Sequence, residues 1–157
     1  MVSRSINETL IDRLLTLFLI SESQRQGWKV SGKVKLLKLI YLSEGRMVKD
    51  RIKGFNYDFY KWDYGPMSDD ALQDLKWLCE NDLLVKSEYY IGITNQGKEL
   101  LKFSSKLLDQ NQNVLEHIRK VVREFAPYTG RKIKAVVYDL PKVGEKRVIR
   151  KIERGEE

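Results

Sequence analysis

The sequence predicts a single, mainly α domain with a small two-stranded β wing, an α+β arrangement of winged-helix type. Three observations lead there. The 157 residues are 42% apolar and 32% charged, the size and composition of one folded core. Apolar residues recur at helical spacing through most of the chain, opened and closed by capping residues. A helical segment then gives way to two short β-rich runs and a Thr-x-x-Gly helix entry, Thr94 to Gly97.

Taken in order, Ser5 followed by Glu8 matches a capping box. Leu10, Ile11, Leu14, Leu15 and Phe18 then form an apolar stripe, and the first helix closes near Gly27. Ser31 is placed to cap a second helix in which Val34, Leu36, Leu37, Leu39, Ile40 and Tyr41 are buried, leaving Lys33, Lys35 and Lys38 to reach solvent. From Arg51 to Gly65 an aromatic, Gly-punctuated stretch reads as a short strand or an ordered loop packed on the helices.

Gly65-Pro66 marks a turn, and Ser68 ahead of Asp69 and Asp70 opens a third helix, because acidic groups favour the positive end of the helix dipole. Its inward positions are Leu72, Leu75, Leu78 and Cys79. Leu83-Leu84-Val85 and Tyr89 to Thr94 pair as a hairpin turning near Ser87. Thr94 caps the next helix, with Leu100, Leu101, Phe103, Leu107 and Leu108 as its apolar set. After an interruption at Asp109 to Asn113, Val114, Ile118, Val121, Val122 and Phe125 define a last amphipathic helix ending before Pro127. The folded unit is expected over residues 1–141. Residues 142–157 form a basic tail too polar for a core of its own, either a solvated helix or an arm that orders on a partner.

The residue inventory removes several chemistries. Cys79 and His117 are each the only residue of their kind, so an intrachain disulfide and a Cys/His zinc site are not expected; no Gly-rich phosphate loop is present either, and no metal or nucleotide cofactor is expected. His117 lies on an ordinary helix and reads as a surface or boundary histidine, and Cys79 reads as a small core hydrophobe. A non-enzymatic protein is expected. The most apolar stretch, Leu14 to Ile20, is far short of the roughly 20 residues that span hydrocarbon, and the first residues lack the pattern of a secretory signal, so a cytoplasmic location away from membranes is expected.

Lys and Arg total 29 against 22 Asp and Glu, a formal +7, which favours an anionic partner without choosing between nucleic acid and acidic protein. The excess falls on Lys33 to Lys53 and on Arg131 to Arg154. In a winged helix that reads DNA, the helix before the hairpin enters the major groove and presents Arg, Lys, Asn or Gln. Here that helix carries Asp69, Asp70, Asp74 and Glu80, with Asp82 just beyond, against Lys76 and Gln73. Carboxylates driven toward phosphates are repelled, so any DNA contact is expected from Lys33, Lys35, Lys38 and the tail residues Arg147, Arg150 and Lys151.

Lys35-Leu36-Leu37-Lys38-Leu39-Ile40-Tyr41-Leu42-Ser43-Glu44-Gly45, followed by Trp62-Asp63-Tyr64-Gly65-Pro66-Met67, resembles the paired signature of the Panacea domain family, the antitoxin SocA-like proteins often found in prophages. The likeness extends more loosely through the hairpin to Phe125 and the apolar run 133–140; many members carry a His and a Pro-Trp where this chain has Tyr138-Asp139-Leu140-Pro141. The resemblance implies a protein that binds and neutralises a partner toxin, or an adaptor that delivers a partner to a protease. Leu36, Leu37, Leu39 and Ile40 are expected in the core, Tyr41 across from the Gly65-Pro66 turn. Aromatic side chains flanked by Lys or Arg have the composition of binding hot spots, which makes Lys35, Lys38, Tyr60, Trp62 and Tyr64 the interface candidates beside Tyr41, Gly65 and Pro66.

Overall fold

The computed structural model describes residues 3–133, a mainly helical α+β fold with six helices and two antiparallel hairpins among them. Helix α1 (Ile6–Arg25) opens on the expected capping box, Ser5 Oγ accepting from Glu8 N at 3.1 Å and Glu8 Oε1 from Ser5 N at 2.8 Å. It closes just before Gly27, whose φ of +88° suits a glycine. Val30 forms an isolated bridge to Ile91 and so adds a short third edge to the later hairpin.

Helix α2 (Lys33–Lys49) departs from expectation at its start. Gly32 is the N-cap and no side chain caps the helix, because the first turn begins one residue beyond the reach of Ser31. An extended stretch follows in which Phe55, Tyr57 and Phe59 are buried, Phe55 stacking on Tyr57 at 5.6 Å. It runs into a tight hairpin of β1 (Tyr60–Trp62) and β2 (Gly65–Met67), with Trp62 paired to Gly65.

Helix α3 (Asp69–Glu80) is capped by Ser68, whose Oγ accepts from Ala71 N at 3.2 Å. Strands β3 (Leu84–Ser87) and β4 (Tyr90–Ile93) make the expected wing in the register Leu84 opposite Ile93. Helix α4 (Asn95–Phe103) is capped by Thr94, which accepts from Gly97 N at 3.0 Å. A Cβ on Gly97 would stand 2.3 Å from the Leu83 carbonyl oxygen, so this turn requires glycine to let the backbones approach. Helix α5 (Ser105–Asp109) and helix α6 (Gln112–Phe125) complete the helices among the described residues, and a loop follows to Ile133.

The core lies where α6 packs between α1 and α2. Leu17, Leu19, Ile20, Leu36, Leu39, Ile40, Ile118, Val121 and Val122 are all buried there. Two predicted apolar stripes are only partly buried. Leu10 and Ile11 face solvent, because the first half of α1 turns Asp12 and Thr16 inward, toward polar partners. Phe103 is 90% exposed and Leu107 is exposed, since α4 and α5 are short and separated by a break at Ser104. No helix among the described residues is long and apolar enough to cross a membrane.

Candidate functional site

The two lysines of the Lys-x-x-Lys motif have structural jobs. Lys35, expected at the surface, is 6% exposed, and its Nζ donates to the carbonyls of Lys29 at 2.7 Å and Ala126 at 2.6 Å. Burial pushes its pKa down. The long stem buries among core residues while the ammonium finds backbone oxygens, which helical periodicity does not reveal. Lys38 Nζ donates to the carbonyl of Gly130, and its stem lies against the hairpin turn, where a Cβ on Gly65 would stand 3.1 Å from Lys38 Cε. Gly65 has a φ of +120°, a backbone conformation that other residues rarely adopt.

The other interface candidates divide between base and tip of the hairpin. Tyr60 is buried, and its hydroxyl donates to Asp69 Oδ1 at 2.6 Å; burial and that carboxylate push its pKa up to about 12. Pro66 is buried too, so Tyr60 and Pro66 are corrected from contact residues to supports. Tyr41 is half-buried and meets the Phe59 ring edge-on at 5.3 Å. Trp62 and Tyr64 are 38% and 64% exposed, their rings edge to face at 5.0 Å. The hairpin therefore holds two aromatic side chains in water on a base fixed to α2 and α3.

The carboxylates of α3 are not presented as the sequence suggests. Asp74 is fully buried and accepts from Arg4 Nη1 at 2.7 Å, Arg13 Nε at 3.1 Å and the Tyr57 hydroxyl at 2.7 Å. Arg4 also holds Asp12 at 2.9 Å and Asp70 at 3.4 Å. Asp12 is pushed up to about 6, desolvation outweighing its bonds to Arg4 and the Asn56 backbone N–H. With Asp69 taken by Tyr60, the outward residues of α3 are Asp69, Gln73, Lys76, Trp77 and Glu80, less acidic than the sequence count. Arg4 is the group that sequence reasoning missed: nothing local marks a residue near the chain start as the counter-ion of Asp74.

Of the candidate DNA contacts, Lys33 is exposed, Lys35 is buried, and Lys38 is engaged with Gly130. Arg147, Arg150 and Lys151 lie outside the described residues. His117 is a half-buried boundary residue that links α6 to the end of α2, its Nε2 lying 2.7 Å from Asp50 Oδ2. Cys79 packs against the core and burial pushes its thiol pKa up.

Comparison with family models, curated proteins and solved structures returned no match.

Proposed function

We propose that this chain is a non-enzymatic, cytoplasmic partner-binding protein of the Panacea type, which neutralises a partner protein such as a toxin or delivers it to a protease. The observation that carries this reading is the pair Trp62 and Tyr64, held outward on a hairpin whose base is pinned by Tyr60, Gly65 and Lys38. Exposed aromatics on a rigid support offer a partner large apolar area at little ordering cost. The Panacea-like motif residues supply that support: Lys38 and Gly65 meet under the turn, while Lys35 ties α2 to the chain beyond α6.

Affinity capture with the full chain tests the reading. A protein partner retained by the wild type and lost from the Trp62→Ala/Tyr64→Ala variant supports it, and equal capture by both overturns it.

A second reading, a winged-helix DNA-binding regulator, draws support from the burial of Asp74, which leaves Gln73, Lys76 and Trp77 outward on α3 ahead of the β3–β4 wing with its Lys86. Asp69 and Glu80 still face out on the same helix and oppose phosphate. A salt-dependent mobility shift of duplex DNA, lost on Lys76→Glu, would favour this alternative.

A further inference from the structure

Lys38 touches two separate pieces of chain. Its Cε lies beside Gly65 in the hairpin turn, and its Nζ holds the carbonyl of Gly130 in the loop after α6. The hairpin and the 127–132 loop are therefore neighbours. The loop is built rather than loose: Tyr128 N donates to Phe125 O at 3.1 Å, Ile133 N donates to Thr129 O at 3.1 Å, and the Ile133 side chain is buried. On its outside stand Tyr128, 52% exposed, with Arg131 and Lys132. The hairpin adds Trp62, Tyr64 and Lys61, and the start of α2 adds Lys33. Against these four cations stands Asp63 at the hairpin tip, and none of the four makes an ion pair among the described residues.

Building on the partner-binding reading, we infer that the hairpin and the post-α6 loop form one composite surface for an acidic protein segment with an apolar anchor. The anchor seats among Trp62, Tyr64 and Tyr128, and Asp or Glu residues on either side meet Lys33, Lys61, Arg131 and Lys132. The surrounding charge accelerates encounter and rejects basic segments, while the aromatic centre supplies most of the affinity. Single-stranded nucleic acid would also seek cations and aromatic rings, but successive bases stack on faces left open. Here the two hairpin rings cross at 72°, one blocking the other with its edge, and the exposed Asp63 in the same turn repels phosphate.

The test selects binders to the full chain from a random peptide library displayed on phage, in parallel with the Trp62→Ala/Tyr64→Ala variant and a Lys61→Glu/Arg131→Glu/Lys132→Glu variant, all three first shown by circular dichroism to be folded. The expected outcome is enrichment of peptides with Asp and Glu around an aromatic or leucine residue, their affinity falling about tenfold or more on either variant. Peptides that need Trp62 and Tyr64 but are neutral or basic would overturn the acidic-segment inference and leave the partner-binding reading standing. Peptides indifferent to the aromatic pair would overturn both. Displacement of the selected peptides by an equimolar single-stranded oligothymidine would overturn the inference in favour of nucleic acid.

Discussion

Lys35 Nζ donates to the Ala126 carbonyl at 2.6 Å across 91 residues of sequence. One motif lysine thereby ties the first turn of α2 to the end of α6, and the second, Lys38, repeats the tie one turn later at Gly130. The motif is a clamp whose outer product is the aromatic hairpin and the loop beside it.

Lys35→Met keeps most of the buried stem but leaves the carbonyls of Lys29 and Ala126 without their donor. Unfolding free energy in urea should fall by about 1–3 kcal/mol, whereas Lys33→Met at the exposed neighbouring position should stay within about 0.5 kcal/mol of wild type. Equal effects at the two positions would contradict the clamp.

Arg4 is the counter-ion shared by Asp12 and Asp74, both fully buried. Arg4→Met strands two carboxylates with Arg13 as the remaining ionic partner of Asp74, and should cost about 3–5 kcal/mol in equilibrium unfolding. A loss below about 1 kcal/mol, the range of a surface ion pair, would show that the network does not join α1 to α3.

The same cluster has a pH signature. Asp12 sits near 6 when folded, against an ordinary value of 3.8, so between those values the folded chain holds a proton that the unfolded chain has released. Its contribution to stability is full below about pH 3.8 and is lost as the pH rises through about 6. Arg4, Asp74 and Tyr57 face it in both proteins of the comparison, so the stability of wild type relative to Asp12→Asn should decline from pH 4 to pH 6 in urea titrations. A difference that is flat or rises over that interval would contradict the assignment.

Two glycines should respond oppositely to alanine. At Gly97 the new methyl meets the Leu83 carbonyl oxygen at 2.3 Å, so the wing must shift, and thermal unfolding should move down by several degrees. At Gly45, within α2 and with nothing within 4 Å of a new methyl, alanine should add about 0.5–1 kcal/mol.

What sequence reveals here is local. Ser5 with Glu8, Ser68, and Thr94 with Gly97 announce helix starts because caps act over three or four residues, and the wing follows from β-rich runs beside a turn. Trp62 and Tyr64 are legible as surface aromatics on the same grounds, since a three-residue strand ending at Trp62, with the turn residue Asp63 next, leaves little to cover them. Charge placement is not legible in this way, because the partners are remote: Asp74 pairs with Arg4, 70 residues away, and the Lys35 ammonium donates to the Ala126 carbonyl, neither of which periodicity registers. Helical spacing places Phe103 inward, but α4 ends there at the periphery of the fold and the ring is exposed.

Site-specific photocrosslinking in living cells reports which surface of the protein meets its partner. A photoreactive phenylalanine analogue replaces Tyr64 at the hairpin tip in one version of the protein, and Lys76 on α3 or Lys86 in the wing in two others. A discrete protein adduct is expected from position 64 and none from positions 76 and 86. Adducts confined to 76 and 86, and above all adducts to nucleic acid there, would contradict partner binding through the hairpin.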